Sequence, residues 1–313
     1  MDGIRLLATG HAMPERMVTN EELAGQMETS DAWIRSRTGI ERRYFSKEER
    51  NADLACRAAK MALASVDFSP ERVDLLIVAT ITGDYATPSV ACILQKELGL
   101  RKEIPAFDIN AACSGFLYGL HLAYHMLEGK KDGKALVIGS EQLSRILDMK
   151  DRSTAVLFGD GAGAALVERG KDLRGFFGRL GAEGNIEALH VEGLGRPDPY
   201  IRMNGKAVFR FAVKTIEKEI RLLLEETGLS LEEVDYIVCH QANKRILEHV
   251  RKRLQIPAEK LPQNMEGCGN TSGASIPILL DEMKRDGRLD GQKKLFCIGF
   301  GGGLTYGSIY MEA

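Results

Sequence analysis

The sequence contains no apolar run near 18 residues, so no segment predicts a helix that crosses a bilayer. Its first residues, MDGIRLLATGHAMPERMV, lack the basic region, long apolar run and small-residue cleavage site of a signal peptide. Neither sign of charge is in excess, because 42 basic residues face 44 acidic ones and the net charge is −2. We therefore expect a cytoplasmic protein that binds neither nucleic acid nor a membrane.

Close-set cysteine pairs are also missing. The chain of 313 residues has 6 cysteines and no C-x-x-C pair. This pattern indicates reduced thiols rather than a disulfide framework, and it lacks the paired ligands of a structural zinc site. We therefore predict no metal site. The cysteines are Cys56, Cys92, Cys113, Cys239, Cys268 and Cys297.

What the chain does have is a series of apolar, β-rich segments that alternate with helical patterns. VDLLIVATIT and KALVIGSE have the pattern of buried strands, while NADLACRAAKMALASV and TPSVACILQKELGL have helical periodicity. Such alternation predicts an α/β fold in which helices cover a parallel sheet.

The same order of segments occurs twice. VDLLIVAT, IPAFDINAACSG and ALVIGSE match VDYIVCHQ, LPQNMEGCGNTSG and LFCIGFG about 160 residues later. We predict a duplicated unit with halves at 1–170 and 171–313, packed face to face with helices between and outside two sheets. Residues 168–207 are the least regular and predict an excursion with turns. In this alignment Cys113 falls opposite Asn270, each just before a helix.

Three polar residues, Cys113, His240 and Asn270, follow predicted strands in the two halves. Ligands of open α/β sheets bind beyond the carboxyl ends of the strands, so these side chains can converge. Taken alone, Cys113 fits a buried core thiol as well as a nucleophile activated by a helix start. A lone histidine such as His240 is often a satisfied core residue. Together the three favour a catalytic site.

Two glycine-rich segments need separate interpretation. In FGDGAGAALVE a strand-like run follows the glycines, whereas a dinucleotide loop opens a helix there, so we exclude nucleotide binding. CIGFGGGLTYGSIYM runs from strand to glycines to strand. Three successive glycines suit a tight turn or an amide that binds an oxyanion.

Six motifs follow one another along nearly the whole chain: TSDAWIRSRTGIERR, AACSGF, DRSTAVLFGDGAGAA, HQANKRI, GNTSGASIP and GFGGGLTYG. In this order they resemble β-ketoacyl-[acyl-carrier-protein] synthase III, a family of the thiolase-like superfamily. The resemblance implies a thiolase-like, five-layered α-β-α-β-α core. Asn270 distinguishes this family from the elongating synthases, which have a second histidine there.

The resemblance implies a decarboxylative Claisen condensation that initiates fatty acid synthesis. An acyl-CoA primer would join malonyl-acyl carrier protein to give 3-oxoacyl-acyl carrier protein. Cys113 would carry the acyl group, because a thiolate is a good nucleophile toward a thioester. His240 and Asn270 would donate hydrogen bonds to the enolate, and the backbone amides of Cys113 and Gly303 would form an oxyanion hole. No cofactor is implied, since the coenzyme A thioester is a substrate.

The family also binds coenzyme A through residues that match Trp33, Arg37 and Arg152. From sequence alone, Trp33, the only tryptophan, fits core packing equally well. The basic segment KRILEHVRKR has the pattern of a solvated helix face above a stripe of Ile246, Leu247, Val250 and Leu254. The resemblance implies that the carrier protein docks there, with Arg210, Lys252 and Arg253 nearby, through Gln241, Ala242, Asn243, Lys244 and Arg245.

Thr87 is a departure from the family. Many acetyl-primed members have phenylalanine before the equivalent of Pro88, in an acyl pocket reached from the partner subunit of a homodimer. The smaller Thr87 predicts a longer or branched primer. The alternative is that Tyr85 or Phe300 already fills the space.

Other function classes compete with this interpretation. Papain-like hydrolases also use cysteine, histidine and asparagine, but their local signature around the cysteine is absent here, and they have no duplicated α/β core. A thiolase-fold acyltransferase that does not decarboxylate, a ketosynthase of specialised metabolism and a non-catalytic binding protein are the remaining alternatives.

Overall fold

The structure is a computed structural model that describes residues 3–170, 173, 175–193 and 195–313. Its strands are β1 (Gly3–Ala12), β2 (Met17–Thr19), β3 (Arg42–Tyr44), β4 (Leu75–Ala79), β5 (Ala106–Ile109), β6 (Gly133–Glu141), β7 (Gly161–Gly170), β8 (Phe176–Ala182), β9 (Leu189–His190), β10 (Arg202–Met203), β11 (Tyr236–Cys239), β12 (Lys294–Phe300) and β13 (Thr305–Glu312). Its helices are α1 (Asn20–Ala24), α2 (Asp31–Thr38), α3 (Asn51–Ala64), α4 (Val90–Glu97), α5 (Gly115–Met126), α6 (Arg152–Ala155), α7 (Gly205–Thr227), α8 (Lys244–Arg253), α9 (Met265–Cys268) and α10 (Ser275–Arg285).

Polar caps and glycines set the ends of the longer helices. Ser30 accepts the N–H of Trp33 at the start of α2, and Gly39 ends this helix at φ 80°. Asn204 caps α7 in the same way, and Gly228 ends it at φ 68°. Glycine adopts this left-handed conformation without the steric cost of a side chain. In the described ranges no helix is both long and apolar enough to traverse a bilayer.

Each half of the chain builds a sheet with the same strand order. The order is β1–β7–β6–β4–β5 in the first half and β8–β13–β12–β11 in the second. In both, the first two pairings are antiparallel and the following ones are parallel. A parallel pairing between Arg5 and Glu312 joins β1 to β13, which links the two into one nine-stranded sheet of the described residues.

Apolar side chains pack on both faces of each half-sheet. Leu76 and Val78 of β4 pack with α3 and α4, while Leu75 and Ile77 face the opposite side, toward α5. That second cluster includes α10 and one face of β11, β12 and β13. Helices α7 and α8 cover the other face of β11 and β12. Strands buried on both faces explain the continuous apolar runs. This layering confirms the predicted α-β-α-β-α core.

The halves correspond closely at the ends of their strands. Thr80 follows β4 and His240 follows β11, and the 3-10 turns Ala112–Ser114 and Ser272–Ala274 lead directly into α5 and α10. These turns are about 160 residues apart, so Cys113 corresponds to Gly273 rather than to Asn270. The sequence alignment was wrong here because the second half has the short helix α9 where the first has β5.

The predicted boundary between the halves lies at 170/171. Strand β7 ends there and β8 begins shortly after, but residues 171, 172 and 174 lie outside the described residues. The boundary therefore stays a prediction. The excursion predicted for 168–207 is more regular than expected, since β8 pairs with β13 and the short strands β9 and β10 pair with each other.

Candidate active site

Cys113 lies in the 3-10 turn between β5 and α5. Ala112 before it has φ 45°, a left-handed conformation that is uncommon outside glycine and is typical of functional sites. The thiol is buried, and burial raises its pKa to about 11. The Ser272 hydroxyl and the Gly302 amide act on this pKa in the opposite direction. The predicted lowering of the pKa by the start of α5 is therefore outweighed by loss of solvent.

His240 directly follows β11 and is 1% exposed. Its Nδ1 lies 2.7 Å from the Ser275 hydroxyl, and the Phe300 ring packs edge-on with its centroid 5.2 Å away. Burial lowers the pKa of the imidazole to about 3, so the ring is neutral near pH 7. Since Nδ1 is engaged by Ser275, Nε2 is the nitrogen that remains for a ligand.

Asn270 is held by its backbone on both sides. Its N–H donates to Leu157 and its carbonyl accepts from Gly159, at 2.8 and 3.0 Å. The side-chain Oδ1 accepts the N–H of Ser272 at 2.9 Å. Because the amide oxygen is engaged, the Nδ2 group is directed elsewhere as a donor.

The three predicted residues line one cavity of about 100 Å³. Phe300 and Gly301 form part of the same wall. A Cβ added at Gly301 would lie 2.7 Å from Cβ and 3.0 Å from Sγ of Cys113, so only glycine allows this approach. The structure therefore brings Cys113, His240 and Asn270 together, as predicted, although Asn270 follows the short helix α9 rather than a strand.

Of the three glycines that follow Phe300, Gly302 is the one whose backbone amide acts on the pKa of the Cys113 thiol. The Gly302 amide lowers the pKa of the Cys113 thiol, while Gly302 and Gly303, the latter at φ 70°, both line the neighbouring cavity. Thr305 Oγ1 donates to the Gly302 carbonyl at 3.1 Å and so helps to hold the turn. Which of these amides would complete the predicted oxyanion hole stays a prediction.

A wide cleft of about 940 Å³ shares several wall residues with this cavity. It brings together the residues predicted to bind coenzyme A, with the guanidinium of Arg37 6.0 Å and that of Arg152 5.0 Å from the centroid of the Trp33 ring. Trp33 is partly exposed at this cleft and also packs against the core. Arg210 and Arg245 line the same cleft.

The residues predicted to bind the carrier protein differ in exposure. Lys244 and Arg245 are exposed, and Ala242 and Asn243 line the Cys113 cavity. Gln241 is 1% exposed, and its amide bonds inside the protein to Cys239, Pro262 and Asn264. Its side chain is therefore not available to a partner. Of the predicted apolar stripe, Ile246, Leu247 and Val250 are buried and Leu254, just after α8, is partly exposed. Lys252 and Arg253 are exposed.

A second cavity, of about 650 Å³, adjoins Cys113 on another side. Its apolar walls include Leu143, Phe158, Leu189 and Ile201. Thr87 is exposed and is not a wall residue of any cavity described above, and Tyr85 is 55% exposed. Within one chain, neither side chain limits the space next to the thiol.

In the described part of the chain, no group of three or more His, Cys, Asp or Glu side chains could hold a metal ion. The described cysteines are all free. That no cofactor takes part in catalysis stays a prediction.

Comparisons with known proteins agree with this arrangement. The family model for 3-oxoacyl-[acyl-carrier-protein] synthase III matches residues 107–184, and the model for its C-terminal part matches 224–313. The β-ketoacyl-[acyl-carrier-protein] synthase III of Clostridium acetobutylicum is 43% identical over 324 residues, covering 100% of this chain and 99% of the relative. The chain belongs to the 3-oxoacyl-[acyl-carrier-protein] synthase III family. The predicted family, its enzyme class as a condensing acyltransferase and the condensation that yields 3-oxoacyl-acyl carrier protein are confirmed.

Solved structures of the family have the same fold. The 3-oxoacyl-[acyl-carrier-protein] synthase III of Aquifex aeolicus VF5 has a TM-score of 0.93 and 43% identity, covering 98% of this chain and 99% of that chain. The priming β-ketosynthase of the R1128 polyketide pathway has a TM-score of 0.92 and 33% identity, covering 99% and 96%. The roles of individual site residues stay predictions.

Four residues around the site were missed from sequence. Ser272 and Ser275 stand in the motif GNTSGASIP beside Asn270, so their neighbourhood was visible. Gly302 lies in a run of three glycines, and the sequence pattern does not indicate which of the three has a functional amide. Glu141 ends the apolar segment KALVIGSE, which was interpreted only as a strand.

Proposed function

We propose that this chain condenses an acyl-CoA primer with malonyl-acyl carrier protein through an acyl-Cys113 intermediate, and so primes fatty acid synthesis in the cytoplasm. The observation that carries the proposal is the convergence of Cys113, His240 and Asn270 on one cavity that adjoins a cleft with clustered arginines. The clustered arginines suit the phosphates of coenzyme A.

In the first half-reaction, Cys113 sulfur bonds to the thioester carbonyl carbon and the coenzyme A thiolate leaves. The negative oxygen formed on the way accepts hydrogen bonds from the amides of Cys113 and Gly302. Donors placed in this manner are worth about 2.7–4 kcal/mol each in the barrier. Trp33, Arg37 and Arg152 hold the departing coenzyme A.

In the second half-reaction, malonyl thioester loses CO₂ and the bonding electrons form an enolate. Its oxygen accepts hydrogen bonds from His240 Nε2–H and Asn270 Nδ2–H. This tautomer of His240 leaves Nδ1 as the acceptor of the Ser275 hydroxyl, in keeping with their 2.7 Å separation. The enolate carbon then attacks the acyl group, and the Cys113 thiolate leaves.

The decisive test is the intact mass of the protein after exposure to acyl-CoA. We expect the mass gain of one acyl group on Cys113 and none in Cys113→Ser. With malonyl-carrier protein added, only a synthase yields both a 3-oxoacyl product and CO₂, whereas a hydrolase or a simple acyltransferase does not. A stable adduct on Cys239 or Cys268 would contradict the assignment.

The carrier protein would dock on the surface that includes Lys244 and Arg245, beside Arg210, Lys252 and Arg253. We expect Arg245→Glu to raise the KM for malonyl-carrier protein while acylation by a small acyl-CoA changes little, and the effect should shrink in high salt. Lys102→Glu is the matched control, because Lys102 is also exposed and lines none of the cavities described. Equal loss in both half-reactions would instead assign Arg245 to coenzyme A.

The primer pocket would be the second cavity, completed in a homodimer by Thr87 of the partner subunit. Each additional buried methylene contributes about 0.8 kcal/mol, so butyryl- or branched acyl-CoA should match or exceed acetyl-CoA in kcat/KM. Thr87→Phe should restore an acetyl preference. Light scattering should give twice the chain mass, whereas a monomer with a strong acetyl preference would contradict this part of the proposal.

A role in specialised metabolism is the second candidate, supported by the similarity to the R1128 priming β-ketosynthase. A panel of acyl-CoA primers with product masses separates the two. A pathway of fatty acid synthesis predicts short saturated primers, and turnover of an unrelated acyl group alone would favour the second candidate.

A further inference from the structure

Glu141 is a buried carboxylate beside the proposed nucleophile. It ends β6 and is 0% exposed. Its Oε2 accepts hydrogen bonds from the Thr82 hydroxyl at 2.6 Å, the Ile81 amide at 3.1 Å and the Thr80 hydroxyl at 3.3 Å. Its Oε1 has no partner of ordinary hydrogen-bond geometry among the described residues. A buried carboxylate held this firmly, with one oxygen unengaged, needs an explanation.

The turn that contains Ser272 packs against both the turn of Cys113 and strand β6, which ends at Glu141. Ser272 is 2% exposed, and its Oγ likewise has no partner of ordinary geometry in the part of the chain that is described. The hydroxyl nevertheless interacts with both groups, since it lowers the pKa of the Cys113 thiol and that of the Glu141 carboxyl. The adjacent Gly273 backbone approaches the same carboxylate, because a Cβ built there would lie 3.7 Å from Glu141 Oε1.

The thiol has to lose a proton before it attacks, and burial raises its pKa to about 11. His240 is a poor acceptor, because burial lowers its pKa to about 3 and its Nδ1 is engaged by Ser275. Burial raises the pKa of Glu141 to about 7, which suits a proton acceptor that works near neutral pH.

We propose that Glu141 accepts the proton of Cys113 and that the Ser272 hydroxyl relays it. This inference rests on the proposed role of Cys113 as the acylated nucleophile. The S–H bond breaks as its proton moves to Ser272 Oγ, and the Ser272 proton moves to Glu141 Oε1. The Cys113 sulfur then bonds to the acyl carbon, and the coenzyme A thiolate that leaves takes a proton from water.

The cycle returns the proton. Glu141 stays neutral while the acyl group is on Cys113. When the enolate carbon displaces the Cys113 thiolate, the proton passes back from Glu141 through Ser272 to the sulfur. One proton from solvent is consumed per turnover, by coenzyme A, which balances the overall reaction. Glu141 is thus a positioning residue that acts through Ser272 and touches no substrate.

The test measures two rates against pH in the full chain: alkylation of Cys113 by iodoacetamide, and its acylation by acyl-CoA. In the unmodified protein both should rise through about pH 7 as Glu141 ionises. The titratable group that faces the carboxyl is the Cys113 thiol, and its other neighbours, Thr80, Thr82, Ser272 and the Ile81 amide, are neutral. Glu141→Gln should remove the rise near pH 7 and slow both reactions at least about tenfold at pH 8.

If Glu141 had only a structural role, Glu141→Gln would change the alkylation rate in the opposite direction. The charge of Glu141 raises the pKa of the Cys113 thiol, so neutralising a mere charge would speed alkylation. Faster alkylation of Glu141→Gln, or an unchanged pH profile, would overturn the relay. Asp160→Asn is the matched control, because Asp160 is also buried with a raised pKa but bonds to Ser46 and Ser144. It should leave the profile unchanged.

Two variants keep the proposal testable if Glu141→Gln does not fold. Glu141→Asp keeps the acid on a shorter side chain and should keep the rise near pH 7 at a lower rate. Ser272→Ala leaves the charge of Glu141 in place but should abolish the increase of both rates near pH 7. An unchanged increase in this variant would contradict the relay. If the unmodified chain alkylates at Cys113 but never accepts an acyl group, the proposed function fails, which is distinct from failure of the relay.

Discussion

The ends of corresponding strands carry different chemistry in the two halves. In the first half Thr80 follows β4 and Glu141 ends β6, and their side chains are hydrogen-bonded at 3.3 Å. In the second half His240 follows β11 and Phe300 ends β12, and their rings pack 5.2 Å apart. Hydroxyl and amide donors hold a carboxylate in one half, whereas burial beside an aromatic ring keeps an imidazole neutral in the other. One duplicated backbone therefore provides two electrostatic environments.

The turns that precede helices α5 and α10 each pack against the strand ends of the other half. The turn that contains Cys113 lies against β12, and the turn that contains Ser272 lies against β6, where an added Cβ at Gly139 would overlap the Gly273 carbonyl. The nucleophile of the first half thus meets His240 and Phe300, while Ser272 of the second half meets Glu141. Each half completes the site at the strand ends of the other.

The largest expected effect comes from removing the donors of the second half. His240→Ala and Asn270→Ala should each lower malonyl decarboxylation about 100–1,000-fold, because each removes one hydrogen bond to the enolate. Both variants should still accept an acyl group on Cys113, which intact mass would show. Normal decarboxylation in both variants would contradict the assignment of enolate binding to the second half of the chain.

The next effect tests the close contact between the halves. In Gly301→Ala the new methyl group would lie 2.7 Å from Cys113 Cβ, so either the turn or β12 has to shift. We expect a loss of about 1–3 kcal/mol in the free energy of unfolding and slower acylation. Gly184→Ala is the control, since a Cβ there meets nothing within 4 Å. Equal behaviour of the two variants in urea unfolding would show that the contact is looser than described.

The neutral imidazole of His240 should make stability depend on pH. Its folded pKa of about 3 lies below the ordinary value of 6.5, so the unfolded chain binds a proton that the folded chain does not. The stabilising effect is complete above pH 6.5 and is lost as the pH falls toward 3, by up to about 1.4 kcal/mol per pH unit. His240→Gln should remove this part of the slope in denaturant titrations from pH 7 to 4. The same slope in both proteins would place the pH dependence elsewhere.

The smallest effect concerns the orientation of His240. Ser275→Ala removes the partner of Nδ1, and a hydrogen bond of this kind is worth about 0.5–1.5 kcal/mol. We expect the rate of decarboxylation to decrease by between a few-fold and about tenfold, while the KM for acyl-CoA is unchanged. Ser275→Thr, which keeps the hydroxyl, should recover most of the rate. No recovery would indicate that packing around Ser275, rather than the hydrogen bond, is responsible.

The layers and the three central residues were predictable because both depend on the order of segments in the sequence. The apolar runs of β4 and β6 have counterparts in β11 and β12, and Cys113, His240 and Asn270 stand in motifs that follow one another in a fixed order. The order of these segments can be recognised in the sequence without knowing which residues are in contact.

Single-residue register and burial were not predictable in the same way. A run of three glycines does not reveal that the Gly302 amide is the one that acts on the pKa of the Cys113 thiol. Gln241 was expected at a surface, yet its amide is bonded inside the protein. Glu141 has no periodic signature, since its meaning arises only when Ser272, from the other half, lies beside it.

The mutual insertion of the two turns has a consequence for how the protein unfolds. Opening either half would strip the turn of the other half from its strands and expose the shared cluster around α5 and α10. Neither half can therefore melt as an independent unit, and the chain should behave as one cooperative block despite its duplicated architecture. A destabilising substitution far from the catalytic cavity, in either half-sheet, should therefore also disrupt the surroundings of the Cys113 thiol, because the two halves unfold together.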